Sequence, residues 1–246
     1  MDMKTNCITV KQSEQVNPKF VTLGYGSAAA STKTTFTAKA QEDVVLKFAL
    51  LTADKNGLIN DIRIGNQSLN CSDSDIEFKA LEYSTKRRPL IGVAVDGNIQ
   101  IAIDVTMDDA AVFGGGFSCE AIDKAPSLSA QAPQLNRFFG LGSVSVPASG
   151  SATLSAQALR GCTLRDLILH AHGSSSGIVV EDITVKGRSI FSGQASDGVA
   201  LDVLSTDTTA NFLTLNTPIQ TNERVQVQLK NTTIAAVVVG GACYVD

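Results

Sequence analysis

The sequence lacks tryptophan, and aromatic residues of any kind make up only 5% of its 246 residues. Carbohydrate-binding sites usually present aromatic rings on exposed loops, because a ring combines an apolar face with polar edges. The shortage of such rings therefore counts against a sugar-binding surface.

Charged residues are also scarce. They amount to 18%, below the roughly 25% that is usual in soluble domains, and the net charge is −4. A dedicated nucleic-acid binder needs a basic face that displaces counterions from phosphates. We therefore expect no sequence-specific nucleic acid as a partner. A surface this poor in charge is common where neighbouring subunits cover much of it.

Long hydrophobic runs are missing as well. The longest near-apolar tract, Ile234–Tyr244, is far shorter than the roughly 20 residues of a membrane-spanning helix. Met1–Val10 has no apolar run of the kind found in signal peptides. We therefore expect a soluble protein without a secretion signal.

The cysteines show no short pair spacing. The five are Cys7, Cys71, Cys119, Cys162 and Cys243. An odd and scattered set fits neither a disulfide scaffold nor a zinc site. We expect free thiols in a reducing compartment and no intrachain disulfide.

What the sequence does contain is an internal repeat. Four segments return in the same order, with a spacing that only grows. The matches are Gly24–Ser27 with Gly140–Ser143, Leu46–Leu51 with Leu164–Leu169, Asp61–Leu69 with Asp182–Ile190, and Ile99–Gly115 with Val225–Gly241. The repeat predicts that Ile62 corresponds to Ile183 and Ile101 to Val227, all at buried positions. The alternative is that any two β-rich stretches share alternating valine and isoleucine residues and glycine turns.

Short apolar or alternating runs separated by turn residues predict an all-β fold. In the second copy they are Ser143–Val146, Ala152–Leu159, Thr163–His170, Val179–Val185, Val199–Leu204, Phe212–Leu215, Val225–Leu229 and Ile234–Val239. The sequence therefore predicts two tandem jelly-roll-like antiparallel β-sandwiches of about eight strands each. The expected boundaries are an N-terminal arm over 1–19, a first sandwich over 20–122, a linker over 123–136 and a second sandwich over 137–246.

His170 and His172 are the only histidines, and on a strand they share one face. A catalytic zinc usually needs a third protein ligand, and the sequence offers none nearby. We interpret the pair as residues near a strand end beside the Gly173 loop. Their joint removal is then expected to change fold and function little.

Acidic residues suggest two further sites. Asp54–Gly57, followed by Asp61, resembles a calcium loop, but its glycine comes three positions after the first aspartate, where the EF-hand pattern has five. A tight turn explains the same residues. Asp73, Asp75 and Glu77 alternate, and we interpret them as a solvated strand edge.

Two remaining patterns also favour structural interpretations. Gly114–Gly116 lacks the residues of a phosphate-binding loop, and its return at Gly240–Gly241 indicates a bulge or a close backbone approach. Lys86–Pro89 is the one basic run, and a solvated loop explains it better than an acidic partner, a genome or a membrane. The sequence predicts no catalytic, cofactor-binding or metal-binding residue and no enzyme.

The organisation over Phe20–Asp246 resembles the major capsid proteins of tailless icosahedral viruses and phages. In that family two jelly rolls stand side by side and three chains form a capsomer. The resemblance implies a virion protein made in the host cytoplasm. Its partners would be further copies of itself in a homotrimer and shell, with other capsid proteins as additional partners. Whether a membrane lies beneath the shell is left open.

A second function remains as an alternative, namely a carbohydrate- or receptor-binding module of a phage fibre or adhesin. Such a module usually presents aromatic residues on loops and could stay monomeric, whereas a shell component should be trimeric or larger. Residues 1–19 are polar and mixed in charge, and within them Cys7–Val10 has the pattern of a strand that adds to a neighbouring chain. We expect this arm to serve assembly and not folding.

Overall fold

The computed structural model describes residues 19–82, 90–131, 135–191, 198–204 and 213–246. The predicted arm over 1–19, apart from Lys19, and the basic run Lys86–Pro89 lie outside these ranges. The strands are β1 Lys19–Ala28, β2 Lys33–Lys39, β3 Val44–Ala53, β4 Gly57–Ile64, β5 Gln67–Ser68, β6 Ile76–Glu77, β7 Leu90–Val95, β8 Gln100–Met107, β9 Ala111–Ala121, β10 Phe138–Val146, β11 Ser151–Gln157, β12 Cys162–His172, β13 Ile178–Val185, β14 Arg188–Ser189, β15 Val199–Ala200, β16 Leu213–Ile219, β17 Arg224–Asn231 and β18 Val237–Val245. The helices are α1 Phe78–Leu81, α2 Leu128–Gln131 and a 3-10 turn at Leu201–Val203.

The strands form two jelly rolls with the same strand order. In the first half, one sheet runs β1-β9-β3-β7 and the facing sheet runs β2-β8-β4-β5, with β6 also paired to β4. In the second half the orders are β10-β18-β12-β16 and β11-β17-β13-β14, with β15 also paired to β13. The predicted all-β fold of two tandem jelly rolls is thereby confirmed. The predicted domain boundaries remain a prediction.

Alternation along each strand builds the two cores. In β17, Val225, Val227 and Leu229 are buried, while Arg224, Gln228 and Lys230, which alternate with them, face solvent. Successive side chains of a strand point to opposite faces, so every second apolar residue enters the space between the sheets. One core is built mainly from the first half and the other mainly from the second, but Phe138 packs in the first core and Cys71 in the second. The two cores therefore interlock where the halves meet.

The strand registers test the predicted repeat. Ile62 lies opposite Ile103 in β4–β8, and Ile183 lies opposite Val227 in β13–β17. Each isoleucine is the second paired residue after a register shift, which comes just before Asp61 in β4 and just before Asp182 in β13. Ile62 therefore corresponds to Ile183, as the repeat predicts, but Val227 corresponds to Ile103 and not to Ile101. A shift of two residues keeps every side chain on the same face, because the side-chain period of a strand is two. The apolar pattern alone therefore could not detect the error.

The first strands show the same two-residue error. Gly24 lies opposite Gly115 and Gly142 opposite Gly241, each just after a register shift in its strand. Gly24 therefore corresponds to Gly142, not to Gly140. A further difference is at Val199–Leu204, which is a strand only at its first two residues before the chain turns into the 3-10 turn.

Side-chain hydrogen bonds repeat between the halves as well. The Ser68 hydroxyl donates to Asp61 at 2.6 Å, and the Ser189 hydroxyl donates to Asp182 at 2.6 Å. The next residue in each half repeats a backbone bond: Leu69 N–H donates to Ile62 O at 2.8 Å, and Ile190 N–H donates to Ile183 O at 2.9 Å. The likeness therefore extends from strand order to individual bonds.

Candidate functional site at the seam between the two jelly rolls

The contact between the halves, which we call the seam, is built by the segment Asn70–Glu77 of the first half. Its backbone pairs with the outer edge of β10, where Cys71 N–H donates to Phe138 O at 2.9 Å and Gly142 N–H donates to Asp75 O at 2.7 Å. The outer edge of β10 is thus satisfied by the same chain, which removes an exposed sheet edge.

Side chains of the segment complete this pairing. The Asn70 side-chain oxygen accepts from Gly140 N–H at 3.1 Å, and the Ser72 hydroxyl donates to Gly140 O at 2.8 Å. A Cβ atom at Gly140 would lie 2.2 Å from Asp75 O, so only glycine permits this approach. Arg160 adds two bonds, from its Nη2 to Ser68 O at 2.7 Å and Asn70 O at 2.8 Å. These bonds fix the orientation of one half against the other.

A charged cluster, largely buried except for the exposed Asp108, lies at the end of the seam. His172, the last residue of β12, makes contacts of 3.0 Å from Nε2 to a Glu77 carboxylate oxygen and 2.9 Å from Nδ1 to an Asp108 carboxylate oxygen. Glu77 is fully buried. A Cβ atom at Gly240 would come within 2.2 Å of Glu77 Oε2, so that glycine makes room for the carboxylate. The cluster joins β6 and the turn after β8 to the second half.

The electrostatics of the cluster favour a charged imidazole. Burial lowers the pKa of His172, but the hydrogen bond and charge of Glu77, with the charge and hydrogen bond of Asp108, outweigh it, so the pKa is raised. With both ring nitrogens donating to carboxylates, neither is available to accept a proton from a substrate. The arrangement is suited to clamping the halves together.

These contacts revise one prediction and correct one expectation. His172 is the last residue of β12, next to Gly173, as the sequence predicts, but it also makes a buried ion pair across the seam. From this ion pair we now predict that removing His172 lowers stability. Asp73, Asp75 and Glu77 do not form a solvated strand edge, because β6 contains only Ile76–Glu77 and Glu77 is buried while Asp73 is exposed. Local alternation could not reveal this, since the covering surface comes from residues about a hundred positions further along the chain.

The histidine pair does not belong to a metal-holding group in the part of the chain described. His170 is buried, and its ring centroid lies 5.8 Å from that of His172. Within the described ranges no group of three or more histidine, cysteine or acidic side chains is arranged to hold a metal ion.

The calcium-like loop is a turn between β3 and β4. Asp54 accepts a hydrogen bond from Val112 N–H at 2.9 Å, and Asn56 O accepts one from Asp108 N–H at 3.0 Å. Asp61 accepts the Ser68 bond described above. The carboxylates are thus engaged by donors of the protein itself, as the turn interpretation expects.

Gly114–Gly116 lies in β9, an inner strand of its sheet. A Cβ atom at Gly115 would lie 2.5 Å from Leu50 O, and one at Gly116 would lie 2.4 Å from Val21 O. The structural interpretation of these glycines as a close backbone approach is confirmed.

The seam also brings together two cysteines that are far apart in the sequence. Cys71 Sγ lies 3.3 Å from Cys162 Sγ. Both are thiols, as are Cys119 and Cys243, while Cys7 lies outside the described ranges. Residue spacing gave no signal of this pair, because its two members belong to different halves.

Comparisons with known proteins find likenesses only among solved structures. No family model matches the chain, and no curated protein matches it. Among solved structures it is similar to the major capsid protein P2 of bacteriophage PM2, with 10% sequence identity and a TM-score of 0.37, over 94% of this chain and 98% of that chain. Similarity at this level does not by itself indicate a function. In the described residues, no helix has the length and apolar character needed to cross a membrane.

Proposed function

We propose that this protein is a structural subunit of an icosahedral virus shell and that it assembles through trimers. The observation that carries the proposal is that the seam within the chain has two counterparts elsewhere in the molecule, which we call unoccupied because no described residue covers them. The two halves would then be copies of one ancestral jelly roll, and the contact between them would be repeated between chains.

The first unoccupied counterpart is the outer edge of β1. Phe20 lies opposite Ser118 as Phe138 lies opposite Tyr244, so the two phenylalanines are equivalent. Phe138 is 0% exposed under the first half, whereas Phe20 is 52% exposed and Tyr25, further along β1, is 81% exposed. Large apolar groups exposed along a sheet edge indicate an interaction surface.

The second unoccupied counterpart is the segment Val199–Leu204. By register, Ile76 corresponds to Val199 and Glu77 to Ala200, so Val203 corresponds to Ala80 of α1. Ala80 is 2% exposed in the seam, whereas Val203 is 51% exposed. This surface of the second half has the place in its jelly roll that Ile76–Leu81, the end of the seam segment together with α1, has in the first.

In the seam, the first half supplies the covering segment and the second half supplies the strand edge. The open surfaces complete the same type of contact between chains, because the second half carries the counterpart of the segment and the first half carries the counterpart of the edge. A contact between different surfaces of identical chains builds either a closed ring or an open filament. If each contact repeats the rotation made within the chain and that rotation is about 60°, three chains bring six similar jelly rolls into a closed ring. Such a ring supplies a shell with six similar outer faces, which agrees with the low surface charge and with the organisation that resembles capsid proteins.

The oligomeric state tests the proposal. We expect the full chain to be trimeric or larger by light scattering and native mass spectrometry, and to form closed particles in electron micrographs. The double variant Tyr25→Glu, Val203→Glu should remain a folded monomer, because it places buried charge on both sides of the contact. Thr37→Glu, on the exposed face of β2, is the matched control and should still assemble.

Two outcomes would overturn the proposal. One is a wild-type chain that stays monomeric at high concentration, as a receptor-binding module would. The other is a double variant that forms trimers as well as the control does.

A further inference from the structure

We propose that Cys71 and Cys162 are an oxidation site at the seam, at which a low-molecular-weight disulfide such as oxidised glutathione converts the two thiols into an intramolecular disulfide joining the jelly rolls. This departs from the expectation drawn from the number and spacing of cysteines. It concerns the same protein after it leaves a reducing compartment, and it does not depend on the proposed shell function.

The thiols are close enough to react with little movement. Their sulfur atoms are 3.3 Å apart, against about 2.05 Å in a disulfide. The backbone segments that carry them are already joined, because Leu159 N–H donates to Cys71 O at 2.8 Å. Side-chain rotation is therefore the main change required, since the two segments are held side by side before oxidation.

The two cysteines differ in a way that sets the order of the reaction. Cys71 is fully buried, while Cys162, the first residue of β12, is partly exposed. The Cys71 thiol donates its hydrogen bond to Cys162 Sγ. That bond, aided by the Arg160 charge and opposed by burial, lowers the pKa of Cys162, whereas the pKa of Cys71 is raised. Cys162 is thus the accessible, more acidic thiol and Cys71 the resolving thiol.

The chemistry balances as two exchange steps. The Cys162 thiolate attacks one sulfur of oxidised glutathione, forms a mixed disulfide and releases the first glutathione thiolate. Cys71 then loses its proton and attacks the Cys162 sulfur, which releases the second glutathione thiolate. Two cysteines are oxidised by two electrons in total, one oxidised glutathione is reduced, and the two thiol protons end on the two glutathione molecules.

The cross-link would stabilise the folded protein. It closes a long loop between residues 71 and 162, and a disulfide that closes a long loop removes conformational entropy from the unfolded chain. For a chain of this size we expect the midpoint of thermal unfolding to rise by about 10 °C. The link would also hold the two halves together when the hydrogen bonds of the seam are weakened.

The full chain, incubated with oxidised glutathione and alkylated without reduction, tests the site. Trypsin separates the two cysteines into peptides 64–79 and 161–165, which should appear as one disulfide-linked species in the mass spectrum. The link and the rise in melting temperature should vanish in Cys162→Ser and persist in Cys119→Ser, the buried control in the first half.

The wild-type peptide map decides the matter even if Cys162→Ser fails to fold. Glutathione retained on Cys162 with Cys71 still alkylated would overturn the proposal, because the resolving step would not occur. A disulfide from Cys71 to Cys243 would also overturn it. So would the recovery of both peptides in alkylated form, because the two sulfur atoms, 3.3 Å apart, would then have failed to react.

Discussion

The two jelly rolls repeat one strand order but differ at the face beside their first strand. At β10 the first half of the chain covers this face, and at β1 nothing in the described part of the chain does so. Phe138 is buried and its counterpart Phe20 is half exposed. The same scaffold position therefore becomes core or surface according to its neighbour, and the sequence of the strand itself does not decide which.

The charged cluster sharpens this comparison. Glu77 corresponds by register to Ala200, and His172 corresponds to Asp54, the residue that follows β3. The ion pair of the seam is therefore absent from the proposed contact between chains. A contact that forms during folding can carry a desolvated ion pair, because its partners are always present. In a contact that forms only when a second chain binds, such a charge would have no partner in the separate chain.

Replacing Gly140 should have the largest effect. Gly140→Val places a Cβ atom 2.2 Å from Asp75 O, so the seam segment must move away from β10. We expect a loss of about 4 kcal/mol in the free energy of unfolding, measured with urea. Thr22 is the residue at the same register in β1, and Thr22→Val should cost less than about 0.5 kcal/mol. Equal losses at the two positions would contradict the distinction between a covered and an open edge.

Removing the histidine of the cluster should have the next largest effect. His172→Ala leaves the fully buried Glu77 without its ion-pair partner, and breaking a buried pair in this way costs about 3 kcal/mol. Asp54→Ala, at the corresponding position of the first half, removes a hydrogen bond to Val112 N–H and should cost about 1 kcal/mol. A His172→Ala variant as stable as wild type would restore the sequence-based expectation that the histidines are dispensable.

The fold was predictable because it depends on local patterns. Alternating runs such as Val225–Leu229 and turns at glycine specify strands and their inward faces. The exact register was not, as Ile101 and Val227 show, because a shift by two residues preserves the pattern. The end of a strand could not be predicted where apolar residues continue from the strand into a turn, as they do from Val199–Ala200 into Leu201–Val203.

The seam could not be predicted for a different reason. Glu77, Asp108 and His172 come from three separate stretches of the chain, and Cys71 and Cys162 from two. Their proximity follows from how the first jelly roll sits against the second, which no spacing in a single sequence records. The sequence shows glycines at 140 and 240, but it does not show that Asp75 approaches Gly140 or that Glu77 approaches Gly240.

The smallest effect should be a pH dependence confined to the seam. The pKa of His172 is raised in the folded protein, where Glu77 on β6 and Asp108 in the turn after β8 face its two nitrogens and His170 lies beside it on β12. The charged imidazole therefore contributes its full stabilisation below the pKa of the unfolded chain, about 6.5, and this contribution is lost as the pH rises through the folded-state pKa. Urea unfolding of wild type and of His172→Asn across that range should show curves that converge at alkaline pH. Parallel curves, or a wild type that gains stability over the variant on the alkaline side, would show that the imidazole is neutral in the seam.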